Sequence, residues 1–153
     1  PKNINEIIST SIKLKNLKKI DFFSIDIDSY ELKCLQNLNI ISPRLICVEY
    51  NSKLRPNTKL NIKEISNFNW EYDDYYGSSL LSIDKVMREK GYKLIATNIT
   101  GSNAFFVKNE LIHLTKTKDQ TVEDLYSPPN FELFNYNVTH APTNKYLVDK
   151  LNE

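Results

Sequence analysis

The stretch Lys19-Ile20-Asp21-Phe22-Phe23-Ser24-Ile25-Asp26-Ile27-Asp28-Ser29-Tyr30-Glu31 decides the fold. Ile20, Phe22, Phe23, Ile25 and Ile27 crowd its first half. That density predicts a strand covered on both faces, as in a parallel α/β sheet. Asp26 and Asp28 then fall where the strand stops and a helix starts. In open α/β sheets ligands bind beyond the carboxyl ends of the strands, so acids at this point stand where chemistry is done.

Working outward, Tyr30, Leu32, Cys34, Leu35 and Leu38 predict a short helix, closed by Asn39-Ile40-Ile41-Ser42-Pro43 because proline cannot continue it. Leu45-Ile46-Cys47-Val48 predicts a second buried strand, ending in Glu49-Tyr50-Asn51. A strand–helix–strand order implies parallel neighbours joined by a right-handed crossover. Upstream, Ile4, Ile7, Ile8 and Ile12 recur at helical spacing over residues 4–14, with Asn3 and Glu6 spaced as a capping box. Residues 52–77 form a long connection whose aromatics, Phe68, Trp70, Tyr72, Tyr75 and Tyr76, predict an ordered lid.

Ser78 or Ser79 then caps a helix that turns Leu80, Ile83, Val86 and Met87 inward and stops at Gly91. Tyr92 to Thr97 and Ala104 to Val107 predict a hairpin around Gly101. From Thr115 the pattern weakens. Ser127-Pro128-Pro129-Asn130 reads as a turn or extended segment, with Phe131, Leu133, Phe134 and Tyr136 packing it back and a short helix over residues 146–151. The expectation is a partial α/β domain over residues 1–114, with half of a doubly wound sheet, and an extension over 115–153 that wraps the domain or serves assembly.

Composition narrows the classes. With 41% apolar and 25% charged residues in 153, the chain is globular and long enough for a real core. A net charge of +1 gives no electrostatic basis for a nucleic-acid or anionic-membrane partner. No apolar run approaches the roughly 20 residues of a membrane helix, and the polar start lacks the apolar core of a signal peptide. Cys34 and Cys47 fall in a helix and a buried strand, as packed, reduced thiols do in a cytoplasmic protein. Without a secretion signal, the glycosylation triplets Asn98-Ile99-Thr100 and Asn137-Val138-Thr139 carry no weight. Gly77, Gly91 and Gly101, the only glycines, lie far apart, so a glycine-rich phosphate loop is absent. The chain opens without methionine, directly into a helix, as the carboxyl-terminal part of something longer would. His113 and His140 have no zinc-ligand spacing and read as surface histidines, and no metal site is expected from them.

A family resemblance adds to this reading. Asn3-Ile4-Asn5-Glu6-Ile7-Ile8, Ile20 through Asp28, Val48-Glu49-Tyr50-Asn51, Tyr76-Gly77-Ser78-Ser79-Leu80, Gly91-Tyr92-Lys93-Leu94-Ile95 and Asn103-Ala104-Phe105-Phe106-Val107 resemble, in order, the second half of FkbM-like S-adenosylmethionine-dependent methyltransferases. The resemblance spans roughly residues 3–111 and implies a Rossmann-like class I methyltransferase sheet. Residues 20–27 and 45–50 would be its fourth and fifth strands, followed by 92–98 and 103–107, the last antiparallel. Ser29 stands where relatives carry glycine. The first three strands and the loop that holds the cofactor S-adenosyl-L-methionine are missing, so the chain resembles the acceptor-side half and is not expected to bind the cofactor or act by itself.

The candidate catalytic residues are Asp26, Asp28 and Glu49. Asp26 and Asp28 can orient or deprotonate an acceptor hydroxyl, or offer hard oxygen ligands to a divalent ion. Asp28-Ser29-Tyr30-Glu31 is equally a capping-box spacing. The candidate substrate-binding residues are Tyr30, Asn51, Tyr76, Gly77, Ser79 and Asn103. Each has a structural alternative: Asn51 as a loop hydrogen-bonder, Ser79 as a helix cap, Asn103 as a turn residue. The expected activity is O-methyl transfer to a saccharide or small metabolite, by a protein that can form a homo-oligomer. Two rivals are a non-catalytic α/β binding module and, below it, a metal-dependent glycosyltransferase using Asp26-Ile27-Asp28.

Overall fold

The computed structural model describes residues 3–63, 69–130 and 140–151. Phe68, the apolar set Phe131, Leu133, Phe134 and Tyr136, and the triplet at 137–139 lie outside the described residues. The chain is an α/β protein built on a four-stranded mixed sheet. Helix α1 (Ile4–Leu14) leads to β1 (Phe22–Ile25), α2 (Glu31–Asn37) and β2 (Leu45–Glu49). After the long connection come α3 (Leu80–Glu89), β3 (Tyr92–Thr97) and β4 (Asn103–Lys108), then a 3-10 turn at Asn109–Leu114. Two short helices follow, α4 (Val122–Leu125) and α5 (Lys145–Leu151). Among the described residues, no helix is long and apolar enough to cross a membrane.

Strands β1 and β2 are parallel, with Phe22 opposite Leu45 and Ile25 opposite Val48. The sheet order is β1-β2-β4-β3, because β4 enters between β2 and β3, antiparallel to both. The hairpin is as its sequence predicts. Periodicity identifies the two arms of a hairpin, but not which of them meets the rest of the sheet. Here it is the more apolar arm: Ala104 and Phe106 are fully buried in β4, opposite Val48 and Ile46 of β2. Leu35, Leu80, Ile83 and Met87 of α2 and α3 complete that core.

Strand β1 departs from its expected environment. Only Ile25 of its four residues is buried; Phe22 is 52% exposed and Ile27, just past the strand, 44%. The reason is position, since among the described residues β1 pairs with β2 alone and forms the sheet edge. Its apolar run fits a strand with two neighbours, yet only one is present. Helix α1 also lacks the expected cap: Asn3 makes no side-chain capping bond. Asn5 does the tethering instead. Its Nδ2 donates to Asn37 O (2.8 Å) and its Oδ1 accepts from Asn39 N (3.0 Å), which pins α1 to the end of α2.

The extension is fastened to the domain at several points. Val122 of α4 is buried in the main core, under a capping box made by Thr121 and Asp124. Tyr50 Oη donates to Ser127 O (2.7 Å), Thr97 Oγ1 to Leu125 O (2.5 Å), and Tyr126 Oη to Ser52 O. Gly101, at the hairpin tip, sits at φ +72°, and a Cβ there would lie 2.3 Å from Pro128 O. Gly101→Ala therefore meets both a left-handed backbone and a backbone wall. The expected cost is about 1–3 kcal/mol, measured as a lower urea midpoint with an unchanged m-value. A wild-type midpoint would show that this packing contributes nothing.

Candidate functional site

The sheet itself lines up the acids. Extending the β1–β2 register one residue beyond Ile25–Val48 puts Asp26 beside Glu49, and Glu49 in turn pairs with Asn103 of β4. Side chains alternate across a strand, so Asp26 and Glu49 share the face opposite Ile25 and Val48. The turn after β1 brings in a third carboxylate. Asp28 and Ser29 both adopt positive φ, +53° and +116°. This irregular backbone lets Glu31, at the start of α2, fold back so that its Oε1 accepts from Ile27 N (2.8 Å) and Ser29 N (3.2 Å). The helix cap position falls on Tyr30, without a side-chain bond, so Asp28 does not cap α2 as the alternative reading has it. Carboxylate oxygens of Asp26, Glu31 and Glu49 come within 4.8 Å of one another.

Acids this close raise the proton affinity of the two buried ones, Glu31 and Glu49. Burial, reinforced by Asp26, Glu31 and Asp28, pushes the Glu49 carboxyl up to about 8. Glu31, 1% exposed, is also raised by burial, against the opposing pull of the N–H groups it accepts from. Glu49 is therefore largely protonated at neutral pH and a stronger base than an ordinary carboxylate once ionised.

Beside these acids opens a cleft of about 260 Å³. Asp28, Ser29 and Glu49 form one side; Ser52, Thr100, Gly101 and Ser102 add hydroxyls and open backbone. The facing wall is aromatic. Trp70 and Tyr76 lie 5.9 Å apart, and the His140 ring meets both edge-on, at 4.8 and 5.2 Å. Trp70 and Tyr76 of the 52–77 connection thus supply a wall of the cleft, although Tyr72 is 75% exposed. Burial, with Lys53 nearby, lowers the His140 pKa, which keeps its imidazole neutral at pH 7.

No family model matches the chain, and no curated protein or solved structure matches it either. The site therefore has to be read from its own chemistry.

Of the residues singled out from sequence, the cleft gathers Asp28, Glu49 and Tyr76, with Asp26 alongside Glu49. Tyr30 lines a separate hollow, with Asn61 and Ser78. Asn51, fully buried, is a clasp: Nδ2 donates to Asp74 O (2.9 Å) and Tyr76 O (3.0 Å), and Oδ1 accepts from Lys53 N (3.1 Å). Gly77, at φ +57°, lets the lid turn into Ser78, and its carbonyl accepts from Ile62 N (3.2 Å). Ser79 caps α3, its Oγ accepting from Ser82 N (3.3 Å) and Leu60 N (3.1 Å). Asn103 lies in the strand beside Glu49 and hydrogen-bonds Asn98 and Ser102. Sequence reasoning passed over His140, Thr100, Ser102 and Ser52. Only the aromatic run signalled the wall; His140 is not at the surface as expected but in the cleft lining.

Proposed function

We propose that this chain is the acceptor-side half of an S-adenosylmethionine-dependent O-methyltransferase with a Rossmann-like sheet over residues 1–114, acting on a hydroxyl of a saccharide or small metabolite. The observation that carries this reading is the convergence of Asp26 and Glu49 at the carboxyl ends of two parallel strands, above a cleft with hydroxyl and aromatic walls. The strand sequence supports it: two parallel strands joined through a helix, then a hairpin whose last strand is antiparallel. This is the succession implied by the resemblance to FkbM-like enzymes.

The cofactor's cradle does not fit these residues. Gly77, Gly91 and Gly101 each serve a single isolated turn, and none begins a phosphate-type loop. The reading assigns the donor to another part of the enzyme. S-adenosylmethionine, when bound there, supplies a methyl group already activated on a sulfonium sulfur. The task left to this chain is to bind the acceptor, align it and receive its proton. Glu49 is the residue placed for the last step, with Asp26 beside it. Asp28, Tyr76 and the Ser102 and Thr100 hydroxyls are placed to orient the acceptor.

The test is methyl incorporation from labelled S-adenosylmethionine by the product of the whole gene, scored on hexoses and small alcohols. Because the ionised form of Glu49 accepts the proton, kcat/KM should rise about tenfold per pH unit and level off near pH 8. Glu49→Gln should lose about 10²-fold or more in kcat and flatten that profile. A gene product that folds and neither binds S-adenosylmethionine nor methylates any hydroxyl compound would contradict the proposal.

A further inference from the structure

Within the acceptor-side reading, on which this step rests, the cleft favours one charge type. Asp28 and Glu49 line it, with Asp26 and Glu31 immediately behind. No lysine or arginine is among the described residues that line it. The stretches 64–68 and 131–139 contain neither residue in their sequences. The nearby Lys53 is committed elsewhere, its Nζ 2.5 Å from Asp74 Oδ1 and 3.2 Å from His140 O. Acidic side chains therefore crowd the cleft with no basic side chain among the described residues that line it.

Two further groups at the same place lack partners. Ser29 is 2% exposed and lines the cleft, and its hydroxyl makes no hydrogen bond; His140 Nδ1 is likewise buried and unpaired. A buried polar atom without a partner costs free energy that a ligand's donor can recover. Both hydroxyl and neutral imidazole nitrogen can accept, as can every carboxylate there. The described lining supplies hydroxyls but no cation. Its aromatic wall of Trp70 and Tyr76 adds attraction for a cation and for the C–H face of a sugar.

We propose that the cleft binds a small ligand carrying an ammonium group next to its hydroxyls, an amino sugar being the class that fits, with the ammonium held by Asp28 and Glu49. An ammonium brings a positive charge, which favours the ionised form of Glu49, and three donors, which answer the unpaired acceptors. The volume of about 260 Å³ lies at the small end for a ligand pocket, which suits a single sugar ring. An anionic sugar is repelled. A bare divalent ion is less well served, because Glu31 Oε1 already accepts two backbone N–H groups and Asp26 is exposed.

Trp70 is the chain's only tryptophan and stands in the cleft wall, so its fluorescence reports occupancy directly. Glucosamine, glucose, glucose 6-phosphate and manganese ion would be titrated into the protein in parallel. Glucosamine should bind at least tenfold more tightly than glucose, and glucose 6-phosphate more weakly than either. Glu49→Gln and Asp28→Asn, an exposed site whose left-handed backbone asparagine tolerates, should each abolish the tenfold preference for glucosamine, read as the ratio of the two affinities in the same variant. Equal affinity for glucose and glucosamine would overturn the ammonium assignment while leaving the acceptor-side reading in place. Saturable manganese binding that needs Glu49 and displaces glucosamine would also overturn it, assigning the charge to a metal. Failure of both sugars to bind removes this inference, and the methylation assay decides the wider reading separately.

Discussion

Replacing Asn51 by alanine should cost about 3 kcal/mol of stability and loosen the aromatic wall, the largest structural effect expected of any single change near the cleft. Asn51 is fully buried two residues past β2 and holds three backbone groups at once: the carbonyls of Asp74 and Tyr76 and the amide of Lys53. Alanine fills the space incompletely and removes all three bonds in a place away from water. Each such orphan costs roughly 1–3 kcal/mol, offset where the lid shifts enough to admit solvent. The same carbonyl of Tyr76 also accepts from Tyr146 Oη (2.5 Å), so α5 would be disturbed along with the lid. Urea unfolding followed by circular dichroism gives the energy. Trp70 emission, moving to longer wavelength under native conditions, gives the local loosening. A variant with wild-type stability and emission would mean that the clasp is not what holds the lid.

The second large effect concerns pH. Glu49 has a folded-state pKa of about 8 against an ordinary 4.5. The folded chain therefore holds a proton that the unfolded chain releases between those values. By linkage this contribution to stability is complete below pH 4.5, declines as pH rises, and is gone above 8. Its size is on the order of 2 kcal/mol once the carboxyl's partial exposure to water is allowed for. Glu31, raised in the same direction by burial, adds to the same slope. Glu49→Gln should thus be close to wild type in acid and more stable than wild type by about that amount at pH 9. Parallel stability curves for the two proteins across pH 5–9 would show that the carboxylates do not interact as described.

Such behaviour, in which a group weakens the fold in its charged form, belongs to functional sites more than to scaffolds. The chain tolerates it because the rest of the sheet is well buried: Val48, Ala104 and Phe106 are fully enclosed within three residues of Glu49 and Asn103. Left-handed Ser29 is part of the same arrangement. It occupies a conformation that favours glycine, and the reward is the return of Glu31 to the end of β1.

The sequence was informative wherever a signal was local. The run at 20–27, the apolar set at 45–48 and the Ser79 cap mark elements that form where expected. Asp26 and Glu49 were legible as neighbours, because two parallel strands ending in acids bring those ends together. What a linear reading missed depends on tertiary partners. Asn51 is a lid clasp because residues 74 and 76 return to it, which no spacing reveals. His140 looked like an isolated surface histidine, yet Asp74 N donates to Ala141 O and carries it into the cleft. Helix α4 had a readable capping box in Thr121 and Asp124, but a single turn has too little periodicity to stand out. The exposed side of β1 was misjudged for another reason: apolar density reports what a strand suits, not which neighbour is present.

The most direct check of the whole account is the titration of the Glu49 side-chain carboxyl by carbon-13 NMR, with the Glu49→Gln spectrum assigning the resonance. A midpoint near 8, falling towards neutrality when Asp28 is replaced by asparagine, is the result expected of a buried acid among acids. A midpoint near 4.5 would mean that Glu49 is an ordinary solvated carboxylate, and its role as the raised-pKa base of the site would not survive it.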